Sequence, residues 1–281
     1  MKTFIFVLIS LISHTFALPV GIERPQLTRQ NFNKNIDYNF EGIVKLSNCS
    51  GSLIKYSAST ESDKAIVLTN GHCIQKPGGF LNPGEVWFNR PLSRKMRLFN
   101  SKMDLFPITS TKIIYATMTN TDIALYELTE SYAEIKSRTG ISPLILDDAQ
   151  PAQGQPIEII SGYWDRGYKC EIDGFVDTLK EGDWIFTNSI RYSRNGCDTI
   201  GGTSGSPIIA AGTRSVIAIN NTSNESGDRC TLNNPCEVNA NGEIYVEKGL
   251  RYGQQTYDIY SCLNESRSLD LSLSQCQLPK P

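Results

Sequence analysis

Apolar residues along the chain fall into short runs rather than into the stripes of amphipathic helices. The runs are rich in Val, Ile and Tyr, and clusters of Gly, Pro, Asn and Asp separate them, as is typical of β-strands in sandwiches and barrels. Before residue 130 the runs are 42–47, 51–56, 64–69, 84–89, 111–116 and 122–128. After residue 153 they are 155–164, 168–176, 184–192, 206–211, 215–220 and 243–248.

Helical periodicity is scarce in this chain. The segment 134–140 is the best candidate, and we predict only a short connecting turn there. The two series of about six strands meet around residues 130–153. The pattern therefore predicts an all-β protein that is built from two β-barrels packed side by side.

The N-terminus has the layout of a secretory signal peptide. A basic residue precedes an apolar run from Phe4 to Ile12, and short residues follow as far as a cleavage point near Ala17. A membrane anchor is the alternative, but the run is shorter than the ~20 residues that a spanning helix needs. We expect residues 1–17 to be removed and the protein to be secreted or periplasmic, without membrane attachment. The polar segment 18–39 is predicted to be a propeptide or an N-terminal arm.

The charge argues against one class of partner, and the length limits the number of domains. The net charge of −2 and the pI near 5.8 argue against a nucleic-acid partner, which usually leaves a basic footprint. The 281 residues, less the signal peptide, are enough for one large domain or two small ones with real cores.

The eight cysteines indicate disulfide bonds, because their number is even and an exported protein meets an oxidising environment. Counting does not determine the connectivity, and the simplest pairing joins neighbours in the sequence. Those pairs are Cys49–Cys73, Cys170–Cys197, Cys230–Cys236 and Cys262–Cys276. A zinc site is the alternative, but the chain has no CxxC pair and His72 would be the one histidine left after signal cleavage. We therefore expect no metal.

The segment GGTSGSP, residues 201–207, predicts a turn that exposes a serine. Gly202 and Gly205 flank Ser204, so the backbone there can take conformations that are closed to other residues. Backbone N–H groups in such a turn can converge on one spot and form an oxyanion hole. The alternative interpretation is an ordinary Ser/Gly loop between two strands.

Two further residues complete a catalytic constellation. His72 follows a predicted strand in the sequence TNGHC, and Asp122 begins another in DIALYEL. A serine hydroxyl needs a base to take its proton, and histidine titrates in the right range. A carboxylate holds the imidazole tautomer and stabilises the imidazolium. We predict Ser204 as the nucleophile, His72 as the general base and then acid, and Asp122 as the orienting carboxylate.

Alternatives exist for each of these residues. His72 could be a core histidine, and Asp122 could cap a turn. Ser206 is a rival nucleophile by proximity, although the G-x-S-G-x-P frame favours Ser204. The order His, Asp, Ser differs from the order Ser, Asp, His of α/β-hydrolases, and Ser206 occupies the final glycine position of their G-x-S-x-G motif.

Four segments in this order resemble those of chymotrypsin-fold serine proteases. They are CSGSLI (49–54), TNGHC, DIALYEL and GGTSGSPI, and with the strand SVIAIN they cover most of residues 42–220. The resemblance is closest to the secreted V8-like, or glutamyl-endopeptidase-like, branch. It implies two packed six-stranded antiparallel β-barrels with the active site in the cleft between them. It also implies an oxyanion hole formed by the N–H groups of Gly202 and Ser204, with no cofactor.

Under this resemblance we expect the first barrel, with the histidine and the aspartate, to span 40–135 and the second, with the serine, to span 136–262. A tail, 263–281, would be tied down by a disulfide. Most animal trypsins carry Asp directly before the serine, to pair with a freshly cut N-terminus, whereas this chain has Thr203 and lacks an IVGG sequence. The sequence therefore does not predict activation through that ion pair, whereas a zymogen that loses the N-terminal arm is compatible with it.

Substrate preference is predicted by counting from Ser204 without gaps. Asp198 falls where trypsins keep the acid that binds Lys or Arg, and Thr199 follows on the wall of the pocket. Asn220 falls where glutamyl endopeptidases carry a histidine that receives the substrate carboxylate. A basic P1 residue is therefore predicted ahead of a small or polar one, with Glu last. The alternative is that the disulfide at Cys197 turns the Asp198 carboxylate away into a loop.

The sequence as a whole predicts a secreted serine endopeptidase that acts as a monomer on protein or peptide substrates. Two other functions remain open on the same scaffold. One is a catalytically silent protease homologue that serves as a binding module, and the other is an esterase.

Overall fold

The computed structural model of the chain describes residues 38–193 and 196–281. The predicted signal peptide, and the predicted arm as far as residue 37, lie outside the described residues. Within these two stretches, no helix is both long enough and apolar enough to cross a membrane.

Six antiparallel strands of the N-terminal half close into a barrel. The first seven strands are β1 (Ile43–Lys45), β2 (Ser50–Lys55), β3 (Lys64–Thr69), β4 (Val86–Pro91), β5 (Lys95–Phe99), β6 (Leu105–Thr117) and β7 (Ile123–Ser131). Neighbours pair in the order β1-β5-β6-β7-β3-β2, and the pairing of β2 with β1 completes the ring. β4 adds to β6 outside the ring.

The C-terminal half closes a second ring of six strands. The remaining strands are β8 (Leu144–Leu146), β9 (Pro156–Ser161), β10 (Arg166–Glu181), β11 (Trp184–Tyr192), β12 (Pro207–Ala210), β13 (Ser215–Ser223), β14 (Cys236–Val238), β15 (Ile244–Tyr245) and β16 (Arg251–Gln255). The ring runs β13-β12-β9-β10-β11-β16 and closes where β16 pairs with β13. The predicted all-β class with two six-stranded barrels is confirmed.

A helix and a short strand join the two barrels. Helix α1 (Tyr132–Thr139) follows β7, and β8 pairs in parallel with β2 of the first barrel and β13 of the second. The prediction of a short turn at 134–140 is wrong, because Ser131 and Glu134 form a capping box. The Ser131 hydroxyl accepts the N–H of Glu134, and the Glu134 carboxylate accepts the N–H of Ser131. Two otherwise unpaired donors are thereby satisfied at the start of the helix.

Both faces of several strands are buried, which explains their continuous apolar sequences. In β3, Ala65 and Val67 point into the first barrel, whereas Ile66 and Leu68 belong to a second cluster outside it. This outer cluster contains Leu144 of β8 and also residues of the second barrel. Alternate residues of a strand face opposite ways, so a strand between two cores needs apolar residues on both faces.

One strand of the second ring was not predicted from the sequence. The polar segment RYGQQ forms β16, whereas the predicted strand 243–248 is reduced to the two residues of β15, outside the ring. The amides of β16 are buried with partners: Gln254 Nε2 donates to Ser189 Oγ at 3.0 Å, and Gln255 Nε2 donates to the Asn188 carbonyl at 2.7 Å. Polar side chains can therefore be buried on both faces of β16, because residues of β11 accept hydrogen bonds from their amide N–H groups.

Disulfides and a C-terminal tail tie the chain together. The four disulfides join Cys49–Cys73, Cys170–Cys197, Cys230–Cys236 and Cys262–Cys276, the same neighbouring pairs that the order of the cysteines suggested. The last of them closes the tail, whose Leu269, Leu271 and Leu278 are buried in the outer cluster. Tyr115 of the first barrel donates its hydroxyl to the Pro279 carbonyl at 3.0 Å. The tail thus belongs to the core of the folded chain.

This packing predicts that Leu278→Ala destabilises the protein. Leu278 is 4% exposed, so its truncation should leave a cavity and cost about 2–4 kcal/mol of the free energy of unfolding. The measurement is urea unfolding followed by tryptophan fluorescence. Leu105→Ala is the control, because Leu105 is 36% exposed and should cost less than about 1 kcal/mol. Equal unfolding midpoints for the two variants would contradict a core role of the tail.

Candidate active site

His72 and Asp122 are brought together by the pairing of two neighbouring strands. β3 ends at Thr69, and His72 lies directly after it in a short 3₁₀ turn, Gly71–Cys73. Asp122 directly precedes β7, which pairs with β3 so that Thr69 faces Ala124. The disulfide from Cys73 to Cys49 links this turn to the start of β2.

The Asp122 carboxylate holds the histidine at two points. Its Oδ2 lies 2.6 Å from His72 Nδ1, and its Oδ1 accepts the backbone N–H of His72 at 3.0 Å. The Asp122 side chain is 1% exposed, and Asn70 donates its side-chain amide to the Asp122 carbonyl at 2.7 Å. An ionised carboxylate only accepts hydrogen bonds, so His72 Nδ1 carries the proton and Nε2 is left to act as a base.

The surroundings of His72 alter its basicity. Burial by itself lowers the pKa of His72, but the charge of Asp122, the hydrogen bond to Asp122 and the charge of Glu181 all raise it. The net effect is a pKa above the ordinary value, because the nearby carboxylates favour the imidazolium. This environment suits a group that must take a proton during the reaction and hold it briefly.

Ser204 lies in a tight turn directly before β12. The turn is fixed to the first barrel, since Ser50 N–H donates to the Ser204 carbonyl at 2.8 Å. Gly205 has φ +76°, and a Cβ at this position would lie 2.2 Å from Thr69 Oγ1, so glycine is required. The Ser204 hydroxyl donates to the Asn221 carbonyl at 3.3 Å. It must turn from that carbonyl toward His72 before it can transfer a proton.

The rival serine does not reach the site. Ser206 is fully buried, and its hydroxyl has no hydrogen-bond partner among the described residues. Ser204, by contrast, lines the same cleft as His72 and Asp122. The geometry therefore favours Ser204 as the nucleophile.

The structure places two of the three predicted pocket residues in the cleft and the third outside it. Thr199 and Asn220 line the cleft with Ser204, and Asn220 Oδ1 accepts the Tyr192 hydroxyl at 3.3 Å. Asp198 does not line it: its side chain is 68% exposed, and its carboxylate lies 3.3 Å from Arg251 Nη1. The prediction that put Asp198 at the base of the pocket is corrected accordingly, because a cation of this chain holds that carboxylate outside.

A turn between β9 and β10 supports the proposed oxyanion hole. Trp164 donates its indole N–H to the Gly201 carbonyl at 2.8 Å. In a planar trans peptide the C=O and the N–H point in opposite directions, so this bond directs the Gly202 N–H away from Trp164. Gly202 has φ +90°, and a Cβ there would lie 2.8 Å from the Tyr163 ring. The close contact leaves no room for any residue but glycine.

Sequence reasoning missed Trp164, Ser50 and Glu181, all of which act on or line this site. Glu181 is 6% exposed and lines the cleft from the end of β10. No spacing relates these residues to the serine motif, since each comes from a different element of the fold. One signal was available: Gly182 and Asp183 are typical turn residues, and they indicate that a strand ends at Glu181 beside a hairpin turn.

Comparison with known proteins identifies the family. Residues 49–219 match a family model described as a trypsin-like peptidase domain. The match spans more than half of the chain, and the chain therefore belongs to the trypsin-like peptidase family. No curated protein sequence matches it.

Solved protease structures are similar at low sequence identity. The MamO protease domain from Magnetospirillum magneticum is 12% identical with a TM-score of 0.48, over 80% of this chain and 97% of that one. A Nocardiopsis protease is 13% identical with a TM-score of 0.43, over 78% and 93%. A glutamic-acid-specific serine protease that uses a histidine triad in substrate binding is 18% identical with a TM-score of 0.42, over 76% and 91%. The V8-like branch of the resemblance stays a prediction.

The geometry of His72 predicts the pH profile of an active enzyme. The neutral imidazole is the base, and its pKa is raised, so kcat/KM should rise with pH through a midpoint above the ordinary ~6.5. Asp122→Asn should lower that midpoint, because it removes the charge that raises the pKa. It should also reduce kcat by roughly 10³–10⁴-fold, since the imidazole loses its correct tautomer. The measurement is kcat/KM on a peptide substrate from pH 5 to 9, and an unchanged midpoint in Asp122→Asn would contradict this account.

The position of Trp164 predicts a specific kinetic defect. Trp164→Phe keeps an aromatic ring but removes the donor to the Gly201 carbonyl. We expect kcat to fall about tenfold or more with KM little changed, because an oxyanion hole acts on the transition state rather than on bound substrate. Asp165→Asn, in the same turn, is the control and should stay close to wild type. A rise in KM alone would show that Trp164 contacts substrate instead of positioning the turn.

Proposed function

We propose that this protein is an exported serine endopeptidase that hydrolyses peptide bonds through an acyl-enzyme. One observation carries the proposal: the buried Asp122 carboxylate lies 2.6 Å from His72 Nδ1, in a cleft that Ser204 also lines. A buried carboxylate that orients an imidazole beside a serine is the arrangement that activates a hydroxyl nucleophile.

The proposed reaction uses each of these groups in turn. Ser204 Oγ attacks the substrate carbonyl carbon while His72 Nε2 takes the hydroxyl proton. The carbonyl oxygen becomes an oxyanion, which the N–H groups of Gly202 and Ser204 stabilise. The C–N bond then breaks, and the departing amine takes the proton from His72. Water then attacks the acyl ester while His72 takes its proton. The ester C–O bond breaks, His72 returns the proton to Ser204 Oγ, and the carboxylic acid is released.

Export is proposed from two independent features. The N-terminus reads as a signal peptide over residues 1–17, and four disulfides suit an oxidising compartment outside the cytoplasm. We propose further that the mature enzyme is a monomer with barrels at 40–135 and 136–262 and a tail at 263–281. The proposal includes no P1 preference for Lys or Arg, because the Asp198 carboxylate lies outside the cleft beside Arg251.

Labelling with a fluorophosphonate probe tests the proposal. The wild type should be labelled, because the probe phosphonylates an activated serine, and Ser204→Ala should not. His72→Ala should lose several orders of magnitude in labelling rate, since the catalytic groups act as a unit. Ser206→Ala is the matched control and should be labelled like the wild type.

Three outcomes would overturn the proposal. Equal labelling of the wild type and Ser204→Ala would remove Ser204 as the nucleophile, and absence of labelling in both would identify a silent homologue. Parallel assays on a peptide and on the corresponding ester distinguish an endopeptidase from an esterase. Turnover of the ester alone would identify an esterase.

A further inference from the structure

Glu181 is a buried carboxylate in the cleft that the proposed reaction does not use. It is the last residue of β10, next to the hairpin turn that leads to β11, and it lines the same cleft as His72 and Ser204. Only 6% of the residue is exposed. A charge at such a position is costly unless it has partners, so the structure around it needs an explanation.

Two segments hold this carboxylate at the wall of the cleft. Asn233 N–H donates to Glu181 Oε1 at 2.8 Å, and the Thr222 hydroxyl of β13 is a second hydrogen-bond partner. The loop that carries Asn233 is itself fixed, because Gly182 N–H donates to the carbonyl of Cys230, which is bonded to Cys236. A carboxylate accepts about four hydrogen bonds, so these two partners leave acceptor capacity free for a ligand.

The cleft has an excess of negative charge. Its carboxylates are Asp122, Glu181 and Glu225, and among the described residues no lysine or arginine lines it. Asp122 is already committed to His72, and Glu225 is exposed. Glu181 is therefore the buried acid of this cleft that has no lysine or arginine beside it in the cleft lining that the structure describes. Burial raises its pKa, as is expected for a carboxylate without an adjacent fixed cation.

An aromatic wall lies close to this acid. The rings of His72 and Phe80 meet edge to face with centroids 6.1 Å apart, and those of Phe80 and Trp184 do so at 5.8 Å. Trp184 begins β11, directly across the hairpin from Glu181, and it lines the cleft with Phe80. The alkyl stem of a long basic side chain packs well against such rings while its charged end reaches a carboxylate.

We infer that Glu181 binds the side chain of a Lys or Arg residue at P2 of the substrate, the residue before the one whose carbonyl is attacked. This inference rests on the proposed function. The place follows from the neighbours of Glu181: Trp184, which pairs with it across the hairpin, contacts the Phe80 ring, and Phe80 in turn contacts the His72 ring. The attacked carbonyl must lie within reach of His72, so the P2 residue next to it is expected on the His72 side of the cleft, whereas the P1 side chain is predicted to lie by Thr199 and Asn220. Glu181 thus takes the specificity role that the sequence assigned to Asp198, at a different subsite.

The test compares matched peptides that differ only at P2. Lysine and norleucine have side chains of similar length, so the ratio of their kcat/KM values reports the charge alone. We expect a ratio of roughly 10–100 in favour of lysine for the wild type, as hydrogen bonds to charged groups contribute about 1.5–3 kcal/mol. Glu181→Gln keeps an acceptor for Asn233 but removes the charge, and it should bring the ratio close to one. Asp198→Asn is the control and should retain the wild-type ratio.

The pH dependence of the same ratio is a second readout. Because the pKa of Glu181 is raised, its charge is lost at a higher pH than for an ordinary glutamate. The wild-type ratio should therefore fall on acidification, and the ratio of Glu181→Gln should not. The titratable groups facing Glu181 are His72 and Asp122, with Glu225 in the same cleft. Dividing the two rates cancels the effect of His72 on catalysis, since both peptides use the same base.

Binding measurements separate this inference from the proposed function. In Ser204→Ala, calorimetry should show tighter binding of the lysine peptide than of the norleucine peptide, and adding Glu181→Gln should abolish the difference. This result would stand even if the wild type proved catalytically silent. An equal ratio in Glu181→Gln and the wild type, or a loss of the ratio in Asp198→Asn, would overturn the inference.

Discussion

The contact between the Asp122 carboxylate and His72 is the constraint on which the site depends. A buried carboxylate without partners would be strongly destabilising, and here the backbone N–H and the ring of His72 satisfy both of its oxygens. The same two bonds fix the position and the tautomer of the imidazole. They form because β3 and β7 are neighbours in the first barrel, and the disulfide from Cys73 to Cys49 ties down the turn that follows β3. Structural stability and proposed chemistry therefore rest on one interaction.

The second barrel supplies the serine, and a buried polar network aligns it with the first. Ser50 of β2 donates its N–H to the Ser204 carbonyl, and its hydroxyl contacts Ser161 Oγ at 3.0 Å and accepts the N–H of Tyr163 at 3.1 Å. Thr203, where most animal trypsins have an aspartate, is fully buried, and its hydroxyl lies 3.4 Å from that of Tyr168. No charge is buried at this position. Within the part of the chain that the structure describes, the serine turn is thus supported by neutral hydrogen bonds.

On the substrate side of the cleft, the spacing of a residue from Ser204 in the sequence did not predict where its side chain lies. Counting from Ser204 places Asp198 in the pocket, but Arg251 of β16 draws that carboxylate outside. Arg251 lies far along the chain, in a strand that sequence reading did not predict. Glu181, which does line the cleft, comes from the end of a long hairpin. Charge at the cleft is therefore set by which strands pair, and local sequence does not report it.

The sequence did not determine the disulfide connectivity, for which joining neighbouring cysteines was only the simplest pairing. It determined the all-β class and the two barrels, and it singled out His72, Asp122 and Ser204 as candidate catalytic residues. These follow from local information, because strand runs, turn glycines and short motifs around reactive side chains are readable within a few residues. The helix α1 was missed although a local sign of it was present, since Ser131 and Glu134 have the spacing of a capping box. Tertiary structure decided the rest: the polar strand β16 closes the second barrel, Trp164 meets Gly201, Asp198 pairs with Arg251, and Glu181 faces the cleft. Each of these contacts joins residues that are distant in sequence, and their energies depend on the burial and the partners that only the closed barrels create.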